Sequence, residues 1–474
     1  MNPKALFGAY EPDKPPHLHD GLSDLGNVYP SANGYRPVGQ FKSMTPELPA
    51  DFTGGAAFVS SDGTSSLIAG TATALYRYSG GEWTELVSDL SGTAPWAFTQ
   101  FGDIAVAVNG GVTQSVDLLA GTAAPLAGDP PPASSVTTVR DFVVYGQADG
   151  DQAMVQWSGF NDASKNTPGE DQAGFQPMLD GGAVMGVVGG EYGIIVQRRR
   201  IVRMTYTGDA DAPFQFDTIS DEIGAIARGS IAKSGRRIFF LSDKGFMVCD
   251  GNEVTPIGLE RVDSTFFAAH PRSTLNQMSS AIDPRRHIVA WLMPGSPGWM
   301  WIYNWGIDRW SRIDIAAKGV FSGFTANITL EQLDDLYPDG LESIPYSLDD
   351  DRFAGGDPLF LLVSPDDTIG TLSGGNMAAW FVTPFIEIAD RRRTRMRAVI
   401  PLGDMTRGVS VTLDSRQRLG DKEGRRTRST LQPSGMMPVR TNGLYIATRL
   451  DLDADAPWTY AQGLEFVPAL GGVR

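Results

Sequence analysis

Few residues in this chain combine the type and spacing that catalysis requires. His17 and His19 flank Leu18 and precede Asp20. A His-x-His pair can ligate a metal, but this one lies in a Pro-rich stretch without further clear ligands, so no metal site is expected. The one cysteine, Cys249, sits in an apolar strand pattern and reads as a buried, inert thiol. It excludes an intrachain disulfide framework and a cysteine-rich zinc site. No Gly-x-Ser-x-Gly elbow is present. Gly186 to Gly193 is the nearest approach to a phosphate-binding glycine loop, but no Gly-Lys-Ser/Thr follows and Ile194 to Val196 continue as a strand. The expectation is a turn between strands, with no catalytic residue and no cofactor.

Charge is distributed in blocks. Glu331, Asp334, Asp335, Asp339, Glu342, Asp349, Asp350 and Asp351 oppose only Arg352. The run lacks the loop spacing of a calcium motif and reads as a solvated loop. Arg198 to Arg200 form one basic cluster, Arg391, Arg392, Arg393, Arg395 and Arg397 a second, and Lys422, Arg425, Arg426 and Arg428 a third. Strand alternation would send the side chains of the second cluster to both faces, so some are expected to pack or pair within the protein. On an acidic chain a basic patch meets an acidic patch of a neighbour, so Arg391 to Arg395 and Asp349 to Asp351 are candidate interface residues. Ser60-Ser61-Asp62-Gly63-Thr64 has the outline of an Asp-box, as found in sialidase-like propellers, without its closing aromatic and without recurrence; a plain turn is expected. Paired carboxylates for glycoside hydrolysis cannot be picked out, because their separation is spatial.

The chain has 474 residues and a net charge of −16. That balance argues against a protein built to grip nucleic acid. Its 42% hydrophobic content supports a sizeable core, and 55 Gly with 31 Pro fit many short strands joined by tight turns. No basic stretch followed by an apolar run opens the sequence, and no run of about 18 apolar residues occurs, so neither export by the standard route nor membrane insertion is expected.

The elements that must position any site are strands. Residues 1–54 are rich in Pro, Gly and polar residues and read as an extended arm. Tyr29 and Tyr35 would be wasted on a floppy terminus, so they are expected to pack on something else and join the candidate interface residues. Residues 55–375 read as one propeller domain, and from about 55 to 325 one theme recurs: a short apolar run, a Gly-rich turn, another apolar run. Ala74 to Tyr78 turns through Ser79-Gly80-Gly81 into Trp83 to Val87. Ile238 to Leu241, Phe246 to Cys249 and Val254 to Ile257 form one meander; His287 to Leu292, Trp299 to Tyr303 and Trp310 to Ile313 form another. Each meander is preceded by one more candidate strand, near Ile226 to Ala232 and Asn276 to Ile282, and further units begin near Trp96, Val136 and Met185. Four strands recurring at roughly 40–50 residues predict a β-propeller of six or seven blades. An irregular sandwich with long hairpins is the alternative. Residues 326–358 read as an acidic insertion in the last blade, with a helix capped by Thr329 and Gln332. Residues 376–474 read as an antiparallel β domain of sandwich type. The fold class is all-β.

Several stretches in order carry a resemblance: Asn27-Val28-Tyr29-Pro30 with Gly34-Tyr35-Arg36-Pro37; Arg203 to Gly208; Ile223-Gly224-Ala225 with Phe239 to Ser242, Gly245-Phe246 and Asp250-Gly251; Leu341 to Asp350; and Arg440 with Trp458, Gly463 and a Gly-Gly-x-Arg end. Together they resemble tail proteins of short-tailed bacteriophages and, more distantly, the packaged-DNA stabilisation (tail hub, or nozzle) family. The resemblance implies a structural virion protein, assembled in the host cytoplasm as a ring of six copies. Its partners would be the portal, the adaptor or head-completion protein, and tail fibres, spike or needle. DNA would pass without being tightly bound, since an acidic channel repels phosphates. The family supplies no catalytic residues. A carbohydrate-binding or glycan-cleaving propeller is the alternative.

Overall fold

The computed structural model describes residues 2–15, 20–324, 358–388 and 393–468. Among these, seven four-stranded antiparallel sheets follow one another along the chain, beginning at residues 54, 97, 135, 184, 232, 279 and 319. They are the blades of a β-propeller. The inner strands Gly54–Val59, Ala97–Phe101, Ser135–Val139 and Val184–Val188 contact one another in turn, as do Ala232–Ser234, Ser279–Asp283 and Gly319–Phe324. Gly319–Phe324 contacts Gly54–Val59, and Lys233 Nζ donates to Gly189 O at the remaining junction, so the ring is closed.

Local chemistry explains the hairpins. Gly80 and Gly81 adopt φ of 61° and 86°, and Ser79 pairs directly with Glu82. Two successive positive-φ residues give the turn whose twist matches the flanking strands, and glycine takes both positions without strain. Strands deep in the ring are buried on both faces and read as unbroken apolar runs, as in Ile288–Met293. Trp291, Trp301 and Trp310 are fully buried in the sixth blade. Trp291 Nε1 donates to Ser230 O at 2.8 Å and Trp310 Nε1 to Ile257 O at 3.0 Å, so these indoles join the fifth and sixth blades without an unsatisfied donor.

The seventh blade is assembled from both ends of the chain. Gly319–Phe324, Pro358–Val363 and Ile369–Thr371 supply three strands, and Lys42–Ser43 supplies the outermost. The expected insertion interrupts this blade between its first two strands. Its capping-box helix and Asp349, Asp350 and Asp351 lie outside the described residues.

The remaining strands form two facing six-stranded sheets. One runs Val28–Ser31, Gly34–Pro37, Ala461–Pro468, Thr394–Gly403, Met437–Gly443, with Lys4–Leu6 beside Ala461–Pro468. The other runs Asp24–Gly26, Ala379–Val382, Tyr445–Leu452, Val409–Arg416, Arg425–Thr430, with Ile386–Glu387 beside Tyr445–Leu452. Residues 1–54 are therefore not a separate arm. They complete the sandwich and close the propeller. The reason is burial: Phe7, Tyr10, Leu22, Leu25, Val28 and Tyr35 share one core with Phe381, Val399, Leu450 and Phe466. Phe7 stacks on Phe381 at 4.5 Å.

One helix not anticipated from sequence, Asp263–Ala269, follows the fifth blade. Its first turn is held by Asp13, whose carboxylate accepts from Ser264 N at 2.7 Å and Thr265 N at 2.8 Å.

Candidate interaction surfaces

The sandwich is seated on the outer edge of the sixth blade. Asn27 N donates to Arg312 O at 2.8 Å, and Asp314 N donates to Asn27 Oδ1 at 2.8 Å, so the arm lies along the blade's outer strand, Arg309–Ile315. Arg312 is buried at this seam. It pairs with Asp314 at 3.0 Å and with Asp24 at 3.6 Å, and its guanidinium faces the rings of Trp299 and Trp380. Desolvation raises the Asp314 carboxyl despite the nearby guanidinium. Burial and the Arg312 charge together push His270 down to about 4, and Trp301 Nε1 donates to its Nε2 at 3.4 Å. The seam is polar, aromatic and internally satisfied, which fixes the two domains against each other.

A second surface lies at the opposite edge of the sandwich. The strands that touch the propeller, Val28–Ser31 and Asp24–Gly26, begin the two sheets; Met437–Gly443 and Arg425–Thr430 end them. Arg393, Arg395 and Arg397 alternate with buried Thr394 and Met396, so all three are exposed on one outer face. These three are two apart, and a strand returns to the same face at every second residue, so alternation does not divide them; the expectation that some of the cluster pack or pair within the protein is not met by these three among the described residues. Arg391 and Arg392 lie outside the described residues. Arg440 is exposed beside Arg397 at a bulge in the ladder, and Arg425 and Arg426 project from the adjoining edge strand. None of these six arginines has an ion pair among the described residues. Residues 376–474 carry 15 Lys and Arg against 10 Asp and Glu, in a chain whose net charge is −16.

Tyr35 is a correction of another kind. It is fully buried, donates through its hydroxyl to Gly8 O at 2.8 Å and packs on Phe381. It is a core residue of the sandwich and offers nothing to a neighbouring copy. Tyr29 is half-buried against the core shared by the sixth and seventh blades. What both residues pack on is their own chain.

A third feature is a ledge on the propeller face that carries the first and third turns of each blade. Phe160 is 45% exposed and stacks on Tyr206 with their rings 17° apart. Arg140 faces the other ring, Tyr206, and approaches Glu191 at 3.7 Å; Tyr206 also donates to Gln172 Oε1 at 3.2 Å. Asn161, Asp171 and Gln172 in this loop all adopt left-handed backbone.

The other sequence candidates resolve into structural roles. Gly189 to Tyr192 form the turn between Val184–Val188 and Gly193–Gln197. Cys249 is buried, which raises its thiol, and its Sγ accepts from Gly251 N. Asp62 accepts from Ser60 Oγ and Thr64 N and so closes the turn between two strands. Arg200 pairs with Asp180 and Asp221. His17 and His19 lie outside the described residues. Among the described residues, no group of three or more His, Cys, Asp or Glu is arranged to hold a metal.

One buried carboxyl was not singled out from sequence. Asp263 accepts from Phe246 N at 3.1 Å through Oδ1, while Oδ2 has no partner, and burial pushes its carboxyl up to about 6. It borders an open cavity of about 610 Å³ shared with Asp13, Lys244, Leu259 and Phe267. Only its position beside the Asp13 cap makes it notable, and that proximity spans some 250 residues.

No family model matches the chain, and no curated protein sequence matches it. Solved structures similar to it include the extracellular domain of a putative one-component system from B. thetaiotaomicron, with TM-score 0.43, 10% identity, and coverage of 81% of this chain and 48% of that chain. BBS1N in complex with ARL6DN gives TM-score 0.41 and 10% identity over 72% of this chain and 99% of that chain. BamB from Moraxella catarrhalis gives TM-score 0.37 and 11% identity over 72% of this chain and 94% of that chain. The chain spans about half the length of the first of these.

Proposed function

We propose that this chain is a structural virion protein, a tail hub or nozzle of a short-tailed bacteriophage, working through its interfaces. The observation that carries the reading is the seam at Arg312, which joins a closed propeller to a sandwich as one body while leaving a separate basic edge free for a partner. A part that transmits load between a portal-adaptor ring above and fibres or a needle below needs that rigidity and at least two distinct docking surfaces. The ordered motifs noted in the sequence supply the phage assignment. Immunogold electron microscopy with an antibody to this chain tests it. Label just below the head vertex of virions is the expected result; unlabelled intact particles, alongside a labelled known tail protein, would overturn it.

The Phe160–Tyr206 ledge favours a second reading, a propeller that binds carbohydrate. Sugar rings stack on exposed aromatic faces, and Arg140, Glu191 and Gln172 supply polar groups nearby. Binding to a polysaccharide panel that Phe160→Ala abolishes would support it; no binding by the intact chain would remove it.

A further inference from the structure

We infer that the arginine edge of the sandwich is a docking surface for the acidic segment 331–351 of a second copy of this chain. Three observations converge. Arg393, Arg395, Arg397 and Arg440 share an outer sheet face, Arg425 and Arg426 extend it around the edge, and none has an ionic partner among the described residues. The same edge exposes two apolar side chains, Leu419 and Met436, in the connections that flank Arg425–Thr430. The edge is also separated from the propeller-contacting strands by the width of the sheet. From the propeller-contacting strand Val28–Ser31 to Thr394–Gly403 is three strand spacings, about 14 Å, and Met437–Gly443 is one spacing farther.

The occupant is identified by charge. Residues 331–351 contain eight Asp and Glu and no Lys or Arg, interleaved with Leu333, Leu336, Leu341, Ile344 and Leu348. An acidic segment with regular apolar residues complements a basic surface with exposed Leu and Met. The segment departs from the seventh blade, between Gly319–Phe324 and Pro358–Val363, whereas the arginines lie at the far end of the sandwich. The strands that flank the segment thus belong to the propeller, and the arginines belong to the sandwich. A contact between these two different parts of two copies is head-to-tail, and head-to-tail contacts close into rings when the rotation permits. The inference does not depend on where the protein resides, so its failure would leave the virion-labelling result untouched.

Sedimentation velocity on the full chain, over a concentration series at low and high salt, is the test. Self-association at low salt that weakens as salt rises is expected. Arg393→Glu/Arg395→Glu/Arg397→Glu and Asp349→Lys/Asp350→Lys/Asp351→Lys should each lower the association constant by at least about tenfold, and mixing the two variants should restore it. Thermal melting of each variant alone confirms that the fold is intact. Concentration-independent sedimentation of the wild type overturns the inference, and so does failure of the mixed variants to associate. If the arginine variant alone changes shape at every concentration, the acidic segment of the same chain is the occupant and the inference falls. It falls equally if the wild type stays monomeric and a short DNA duplex binds it through these arginines.

Discussion

The guanidinium of Arg312 lies over the indole of Trp299, 4.2 Å from the ring centroid, inside the seam between the sixth blade and the sandwich. Arg312 also pairs with Asp24 from the N-terminal segment and Asp314 from its own strand. One residue thus satisfies two carboxylates and covers an aromatic ring. Arg312→Met keeps much of the packing and removes the charge. We expect it to cost about 3 kcal/mol, the low end for breaking a buried pair, because Asp24 and Asp314 retain some access to water. Urea unfolding followed by tryptophan fluorescence measures it. An early transition in which the sandwich undocks should appear, since Trp299 and Trp380 both report on the seam.

Two buried groups set opposite pH dependences. Asp263, pushed up to about 6, holds its proton in the folded chain between pH 4 and 6, while the unfolded chain releases it. Its contribution to stability is full below that window and is lost as pH rises through it. His270, pushed down to about 4, stays neutral in the folded chain between pH 4 and 6.5, while the unfolded chain takes up a proton. Its contribution is full above 6.5 and is lost as pH falls. Each slope is at most about 1.4 kcal/mol per pH unit, and the two oppose each other over most of the range. Asp263→Asn should therefore make stability rise more steeply from pH 4 to 6 than in the wild type. His270→Gln, which keeps an acceptor for Trp301, should make it fall over the same range. Denaturation midpoints across pH 4–7 check both signs.

Asp263 also explains a glycine. A Cβ on Gly258 would lie 2.0 Å from Asp263 Oδ1, although the Gly258 backbone would accept a side chain. Gly258→Ala should cost roughly 1–3 kcal/mol by overpacking. Asp263→Ser in the Gly258→Ala background should recover part of that loss by clearing the clash. A double-mutant cycle from melting curves measures the coupling.

The blades were legible in the sequence because each is built from neighbours: Leu75–Ser79 and Glu82–Val87 meet across two glycines, and Ile288–Met293 is apolar from end to end. What was not legible depends on distant partners. Sequence leaves six or seven blades open because the seventh blade is split by an acidic insertion and takes its last strand, Lys42–Ser43, from the other end of the chain. The helix Asp263–Ala269 contains Thr265, Phe266 and Phe267, which are weak helix formers, and its cap is Asp13. Tyr35 reads as a residue that must pack, but its partner Phe381 is nearly 350 positions away. For the candidate surfaces, the arginine clusters were visible as composition. Their shared face was not anticipated, although the two-residue spacing of Arg393, Arg395 and Arg397 contains it.

Closure of the ring leads to a final prediction. Asp367 sits in the seventh blade with its backbone in the left-handed region and its side chain buried. Its carboxylate accepts from Phe52 N at 3.1 Å and pairs with Lys318 at 2.5 Å, and its carbonyl accepts from Leu48 N at 3.0 Å. These contacts bind the segment that leads from Lys42–Ser43 to the first blade onto the last one. Lys318 also pairs with Asp51, and the two carboxylates hold its ammonium in the charged form against partial burial. Asp367→Asn keeps an acceptor and preserves the left-handed backbone, so it should lose only the ionic part. Asp367→Ala loses the acceptor, leaves Phe52 N unpaired and strains the backbone. We expect Asp367→Ala to cost roughly 2–3 kcal/mol and Asp367→Asn clearly less. The loss should be local before it is global. Limited proteolysis should cut Asp367→Ala between residues 44 and 53 at denaturant concentrations that leave the wild type whole. Equal resistance of all three proteins would mean that strand pairing by Lys42–Ser43 closes the ring without help from Asp367.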